Sequence, residues 1–227
     1  EDIRGWLDIV RGIEKPPADI KMQEYAFRRS TTANPFPSMM GRVCPAPCQD
    51  GCNRNNVEDF VGINAVEQYI GDQAIAEGFS FSCTEEMSGK KVAIVGGGPA
   101  GMSAAYQLRK LGHASVIFES HDKLGGMMRF GIPSYRTPDS HLDPEINRIL
   151  AMGHIDVKLN TVVGKDISAE SLEKDYDAVL WAIGCWTGRA LPVPNSDAPN
   201  CVSAIKYLEA SRQKRLHVTA KKVVCIG

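Results

Sequence analysis

The sequence predicts an α+β protein, an α-helical N-terminal part followed by an α/β part on a parallel sheet. Three observations predict it. Before about residue 80 the apolar residues recur at helical spacing or give way to stretches rich in proline and glycine. After residue 88 short apolar runs alternate with helical patterns, the order that yields parallel strands joined by crossover helices. The first of those strand-to-helix junctions carries the glycine-rich stretch "VGGGPAG". The expected divisions are 1–85 for the helical part with its linker, 86–220 for the α/β part, and 221–227 for the first strand of a further domain.

The elements follow in order. "DIRGWLDIV" places Ile3, Trp6, Leu7 and Val10 on one helical face. "ADIKMQEYAFRR" follows Pro16 and Pro17, and prolines are tolerated at a helix start. "NPFPSMMGRVCPAPCQDGCNRNN" reads as loop. "INAVEQYIGDQAIAEG" spaces Ile63, Val66, Ile70 and Ala74 for a helix that Gly78 caps, and "FSFSCTEEMSG" is a linker. "KKVAIV" is a buried strand, "PAGMSAAYQLRKLG" a helix and "ASVIFES" a second strand. A helix near "SHLDPEINRILAMG", a strand at "HIDVKLN", a short helix at "SAESLEKD" and a strand at "YDAVLWAIG" come next. After a proline-rich loop, "VSAIKYLEASRQK" is helical and "KKVVCIG" starts another strand.

The 227 residues carry a formal net charge of −1 with no basic stripe, which argues against a nucleic-acid partner. No apolar run approaches the roughly 18 residues of a membrane span, and no signal-peptide pattern is present. Seven cysteines, three of them crowded together, do not read as a secreted disulfide scaffold; a reducing, cytoplasmic location is expected. The chain opens directly into a helix pattern and closes on a strand pattern, so a fragment of a longer polypeptide is also expected.

Gly96, Gly98 and Gly101, with Pro99 and Ala100 between, form G-x-G-x-x-G between a strand and a helix. The first glycine permits the tight turn, the second lets a pyrophosphate approach the backbone, and the third lets the helix pack on the strand. The helix start then offers free N–H groups and partial positive charge to the phosphates. Glu119 ends the next strand, some twenty residues on, where an acid is expected to hold a ribose hydroxyl. The pattern is that of a Rossmann-like dinucleotide site and leaves NAD and FAD both open.

"GRVCPAPCQDGCNRN" places Cys44, Cys48 and Cys52 in nine positions. Thiolates on such a loop suit an iron–sulfur cluster, which takes about four per cluster, and Pro45 and Pro47 oppose a regular helix there. Zinc or purely structural cysteines, and a redox dithiol, are the alternatives, although no second cysteine pair and no C-x-x-C accompany the three. Cys83 falls in the linker, Cys185 follows "AIG", and Cys201 and Cys225 read as core residues. Arg129 and Arg136 either lie on the surface or face a pyrophosphate or a partner, and Met127 and Met128 read as packing.

"VGGGPAGMSAAYQL", "FESHDKLGG", "RFGIPSYRTP" and "DAVLWAIG", together with the cysteine stretch, resemble the glutamate synthase small-subunit family of two-dinucleotide-binding-domain flavoproteins over nearly the whole chain. The resemblance implies FAD, held by Gly96, Gly98, Pro99, Ala100, Gly101, Glu119, Ser120, Gly125, Gly126, Arg129, Val163, Ala182 and Gly184. In it Glu119 takes the adenosine ribose, the double glycine and "GIP" run past the flavin, and the "AIG" turn closes over it. It also implies two 4Fe-4S clusters in the helical domain, most of whose ligands lie upstream, with Cys44 and Cys48 serving one and Cys52 the other. Glu67 stands about where some members place a non-cysteine ligand; the plain reading is a solvated helix-face glutamate. An inserted NAD(P)H-binding domain would begin at "KKVVCIG", and the expected activity carries electrons from NAD(P)H through FAD to the clusters and a partner protein, such as a glutamate synthase large chain, a ferredoxin or another reductase. A non-catalytic iron–sulfur and flavin relay or docking module is the alternative.

Overall fold

Helix α1 (Ile3–Val10) starts where the Asp2 carboxylate accepts the Gly5 N–H at 3.0 Å, and it buries Trp6 and Ile9. Helix α2 (Met22–Ser30) buries Ala26 and Phe27, and α5 (Ile63–Ala76) buries Ile63, Ile70 and Ala74. These side chains form one apolar core. The structure is a computed structural model and describes residues 1–83, 85–216, 218 and 220–226.

The stretch expected to be loop between α2 and α5 is partly helical. It holds α3 (Pro37–Val43), α4 (Pro47–Asp50) and a 3-10 turn at Asn53–Asn56. Pro37 and Pro47 sit in first turns, where a missing N–H costs nothing, so residues taken as helix breakers act as helix starters. α3 lies directly against α5. A Cβ on Gly71 would stand 2.0 Å from the Ser38 amide nitrogen, and one on Gly41 would stand 2.5 Å from the Gln68 backbone.

The second part follows the expected alternation. Strands β1 (Lys91–Val95), β2 (Ala114–Phe118), β3 (Ile155–Lys158) and β4 (Ala178–Trp181) pair in parallel in the order β3-β2-β1-β4. Helix α6 (Pro99–Lys110) joins β1 to β2; α7 (Gly126–Phe130) and α8 (Asp139–Leu150) lie between β2 and β3, and α9 (Ala169–Asp175) precedes β4. Strand residues alternate sides as the pleat requires. Ile94 and Ile117 pack with Met102, Ala105, Leu142, Ile146 and Ile149 of α6 and α8; Ala93, Val95, Val116 and Phe118 pack with Leu172 of α9. Helix α10 (Ala204–Arg212) follows the proline-rich loop. Of the strand expected at 221–227, residues 222–226 pair with none of the described strands, and without a neighbour there is no ladder; Gly227 lies outside the described residues. Cys201 and Cys225, expected in the core, are exposed. No helix is long and apolar enough to cross a membrane among the described residues.

The two parts share packing. Phe36 and Met39 of the α3 region belong to the core built on Ile94 and Ile117. Phe81 stacks on Phe27 at 5.5 Å and meets Tyr106 at 4.7 Å, while the Tyr106 hydroxyl donates to the Thr31 carbonyl at 2.5 Å. Arg148 donates to the Phe79 carbonyl at 2.7 Å with its guanidinium 4.9 Å from the Phe27 ring. Glu145, with none of its surface exposed, accepts the backbone N–H groups of Ser38 at 2.7 Å and Met39 at 3.0 Å.

Burial pushes the Glu145 carboxyl up to about 8, against the lowering influence of those two N–H groups and of Arg148 and Arg42. Below that value the folded chain keeps a proton that the unfolded chain releases from about pH 4.5. Stability from this group is therefore present at low pH, falls as pH rises through that window, and is flat above it. One proton corresponds to at most about 1.4 kcal/mol per pH unit. Urea unfolding of Glu145→Gln is expected to lack this slope between pH 5 and pH 8, seen as a wild-type-minus-variant difference that shrinks with rising pH.

Candidate dinucleotide and thiolate site

The C-terminal ends of β1, β2 and β4 converge on the glycine turn. Gly96 has φ +111°, its N–H donates to the Phe118 carbonyl at 2.8 Å, and the Ala182 N–H donates to the Val95 carbonyl at 2.8 Å. A Cβ at 96 would lie 2.3 Å from the Ala182 oxygen, and one at 101 would lie 2.0 Å from the Gly96 oxygen. Only hydrogen fits at these two positions. Gly98 caps α6 and Pro99 begins it, leaving the first N–H groups of that helix open toward the turn.

A second glycine turn seals the first. Gly125 has φ +123° and donates to the Gly97 carbonyl at 2.9 Å; a Cβ on Gly126 would stand 2.6 Å from the Gly98 Cα. Glu119, 5% exposed, accepts the Gly97 N–H at 2.7 Å through one carboxylate oxygen. Its other oxygen accepts the His121 backbone N–H at 2.9 Å and faces the His121 ring Nδ1 at 2.9 Å.

Beside these turns lies a cavity of about 760 Å³. Of the residues expected at FAD, Gly96, Gly98, Pro99, Ala100, Glu119, Ser120, Gly126, Val163, Ala182 and Gly184 line it. Gly101 and Gly125 hold the turns from behind. Arg129 lines an adjoining cavity of about 540 Å³ with His121, Lys123 and Arg212. It is buried and braces the loop: its Nε donates to the Leu124 carbonyl at 2.5 Å, and its guanidinium pairs with Asp143 and, at 3.3 Å, with Asp139. Arg136 donates to the Arg42 carbonyl at 3.1 Å.

Ile183, within the "AIG" turn expected to close over the cofactor, also lines the cavity, whereas Trp181, Trp186, His121 and Glu209 on its wall were not expected there. The His121 ring stacks on Phe130 at 4.4 Å, lies 4.8 Å from Trp186, and meets Glu209 of α10 at 3.4 Å. No local pattern points from α10 back to residue 121; the two tryptophans at 181 and 186, at and just after the apolar run of β4, were the visible signals.

A glycine cradle that side chains would fill, a helix start and an acidic residue at the second strand end fit an adenine dinucleotide.

The three cysteines follow α3 and α4. Cys44 is exposed at the end of α3, where the N–H of Ala46, itself at φ +53°, approaches its sulfur at 3.4 Å. Cys48 packs against the helical core, and burial pushes its thiol up, with Cys44 and Glu67 adding to the shift. Cys52 lies near Arg54, whose guanidinium pKa is raised chiefly by its hydrogen bond to Glu58 and least by Cys52. Glu67 is not solvated. It is 8% exposed, accepts the Asn34 side-chain N–H at 2.8 Å, and is pushed up to about 7, chiefly by burial. Soft thiolates suit iron, but no three His, Cys, Asp or Glu side chains converge as a metal cage among the described residues. The donor chemistry fits a cluster; the set is incomplete.

The family model for pyridine nucleotide-disulphide oxidoreductase matches residues 90–227, and that for dihydropyrimidine dehydrogenase domain II, 4Fe-4S cluster, matches residues 15–79. The glutamate synthase [NADPH] small chain of Mycobacterium tuberculosis (strain CDC 1551 / Oshkosh) is 36% identical over 216 residues, 89% of this chain and 44% of that protein. The NADP(+)-dependent formate dehydrogenase subunit beta of Moorella thermoacetica is 34% identical over 250 residues, 99% of this chain and 34% of that protein. The chain thus spans less than half the length of these relatives. The structure of Mycobacterium tuberculosis FprA in complex with NADPH superimposes with a TM-score of 0.51 at 25% identity, covering 53% of this chain and 28% of that one.

Proposed function

Since the chain belongs to the pyridine nucleotide-disulphide oxidoreductase family, we propose that it binds FAD and iron–sulfur clusters and carries electrons between them, as part of an NAD(P)H-dependent oxidoreductase that works with a partner subunit. The observation that carries the reading is that Phe36 and Met39 of the α3 region, which leads into the three thiols, pack in one apolar core with Leu124 and Met128, which flank the double-glycine turn of the dinucleotide cradle. A flavin, when bound, converts two-electron to one-electron transfer. The chain's own part is to bind and orient. The α6 start receives the pyrophosphate, Glu119 with Ser120 takes the adenosine ribose, and Val163 and the Ala182–Gly184 turn wall the cofactor from water. Cys44 and Cys48, with Glu67 behind them, serve one cluster and Cys52 the other, joined by ligands that residues 1–227 do not supply. The divisions 1–85, 86–220 and 221–227 belong to the same proposal. So does a cytoplasmic setting, and the partner is an electron-exchanging protein of the kind a glutamate synthase large chain or a ferredoxin represents.

The test is cofactor analysis of the intact protein purified without oxygen. Flavin, iron and sulfide are expected to copurify, and NAD(P)H is expected to bleach the flavin. Glu119→Ala is expected to lower flavin affinity about tenfold or more, since one carboxylate provides charge-assisted bonds of about 1.5–3 kcal/mol. Wild-type protein free of both flavin and iron overturns the proposal. Flavin that binds but does not respond to either nicotinamide turns it toward a relay module.

A further inference from the structure

Helix α8 presents Leu142, Ile146 and Ile149 to the core, and Glu145 lies on that same buried face. A carboxyl there is costly to bury, and an apolar side chain of like volume would pack without that cost. What Glu145 supplies is a pair of acceptors for two first-turn N–H groups of α3, Ser38 at 2.7 Å and Met39 at 3.0 Å, which have no partner within their own helix. Two bonds to adjacent residues fix both the rotation and the rise of α3. That helix runs directly into Cys44, whose N–H donates to the Met40 carbonyl at 2.9 Å.

The same helix holds the flavin-side turn. Asp139 and Asp143, on the first turns of α8, pair with Arg129, which spans from the Leu124 carbonyl across Gly125 and Gly126. Between the two attachments Phe36 and Met39 pack in one cluster with Leu124, Met128 and Leu142. The segment that leads to Cys44 and the double-glycine turn are thus braced on one rod.

We propose that Glu145 is a positioning residue for electron transfer, setting where the Cys44 segment stands relative to the Gly125–Gly126 turn. The inference rests on the functional reading above. An alternative in which Glu145 only stabilises the junction makes a different prediction.

The experiment uses the intact protein, loaded without oxygen, and Glu145→Gln, whose amide can accept only one of the two N–H groups. Flavin and iron content are measured first; a wild type lacking either fails the functional reading at that stage, and the inference falls with it. In loaded protein the flavin is reduced by NAD(P)H or by light, and cluster reduction is followed by electron paramagnetic resonance. Hydrogen exchange at the Ser38 and Met39 amides is recorded in parallel. The expected result is unchanged cofactor content, unchanged flavin reduction, faster exchange at those amides, and cluster reduction slowed about tenfold, the low end of what a lost supporting contact costs around a metal site. Cluster reduction at the wild-type rate overturns the proposal. So does an equal slowing of flavin and cluster reduction, the mark of a purely structural role. If Glu145→Gln does not fold, Glu145→Asp, with its carboxylate withdrawn by one methylene, is read by the same criteria.

Discussion

Gly96→Ala is expected to yield protein without flavin. The residue holds φ +111°, a region that side chains enter at a cost of about 1–3 kcal/mol. The added carbon would also lie 2.3 Å from the Ala182 oxygen and 2.8 Å from its carbonyl carbon. Neither atom is the end of a flexible side chain, so β4 must move away from β1, and overpacking of this kind costs about 1–3 kcal/mol more. The Ala182–Gly184 wall of the cavity moves with it. The flavin-to-protein absorbance ratio after gel filtration checks the loss, with Gly153→Ala as the control. That glycine has φ +74° with no atom within 4 Å of an added Cβ, so it bears the backbone strain alone and is expected to retain flavin.

Gly71→Ala tests packing against propensity. In the interior of α5, alanine should gain about 1 kcal/mol over glycine. The contact with α3 says the opposite, because the new methyl would stand 2.0 Å from the Ser38 nitrogen and 2.5 Å from its Cα. Backbone cannot rotate aside as a side chain can. The helices must separate, which breaks the Ser38 hydroxyl bond to Asp72 at 2.6 Å and the paired bonds from Arg42 to Asp72 at 2.7 and 2.9 Å. A net loss of about 2 kcal/mol or more is expected, read as a lower denaturant midpoint, and with it a fall in bound iron, since α3 leads into Cys44. A higher midpoint would show that helix propensity outweighs the contact.

Much of this architecture was legible in the chain. The strands at 91–95 and 114–118 and the helix between them follow from short apolar runs and a 3.6-residue period, both local signals. The glycine positions of the cradle were legible for the same reason, since a backbone turn of that shape admits few residue types. What was not legible depends on partners far along the chain. Pro37 and Pro47 look alike as breakers or starters until the helix they begin finds α5 to lie on. Glu67 looks like a surface residue on its helix, and only the fold of 34 back onto 67 buries it. Glu145 sits in a run whose period marks it as buried, but its two amide donors are more than a hundred residues away. The segment at 222–226 carries a strand's composition without a described neighbour to complete it.

Phe81 lies against both apolar cores, stacked on Phe27 and tilted against Tyr106. Loosening either interior therefore opens a wall of the other, and the two halves are expected to melt in a single transition in calorimetry. A residue that weakens the iron-side helices therefore also lowers the population of closed flavin pockets, at a distance and through unfolding alone.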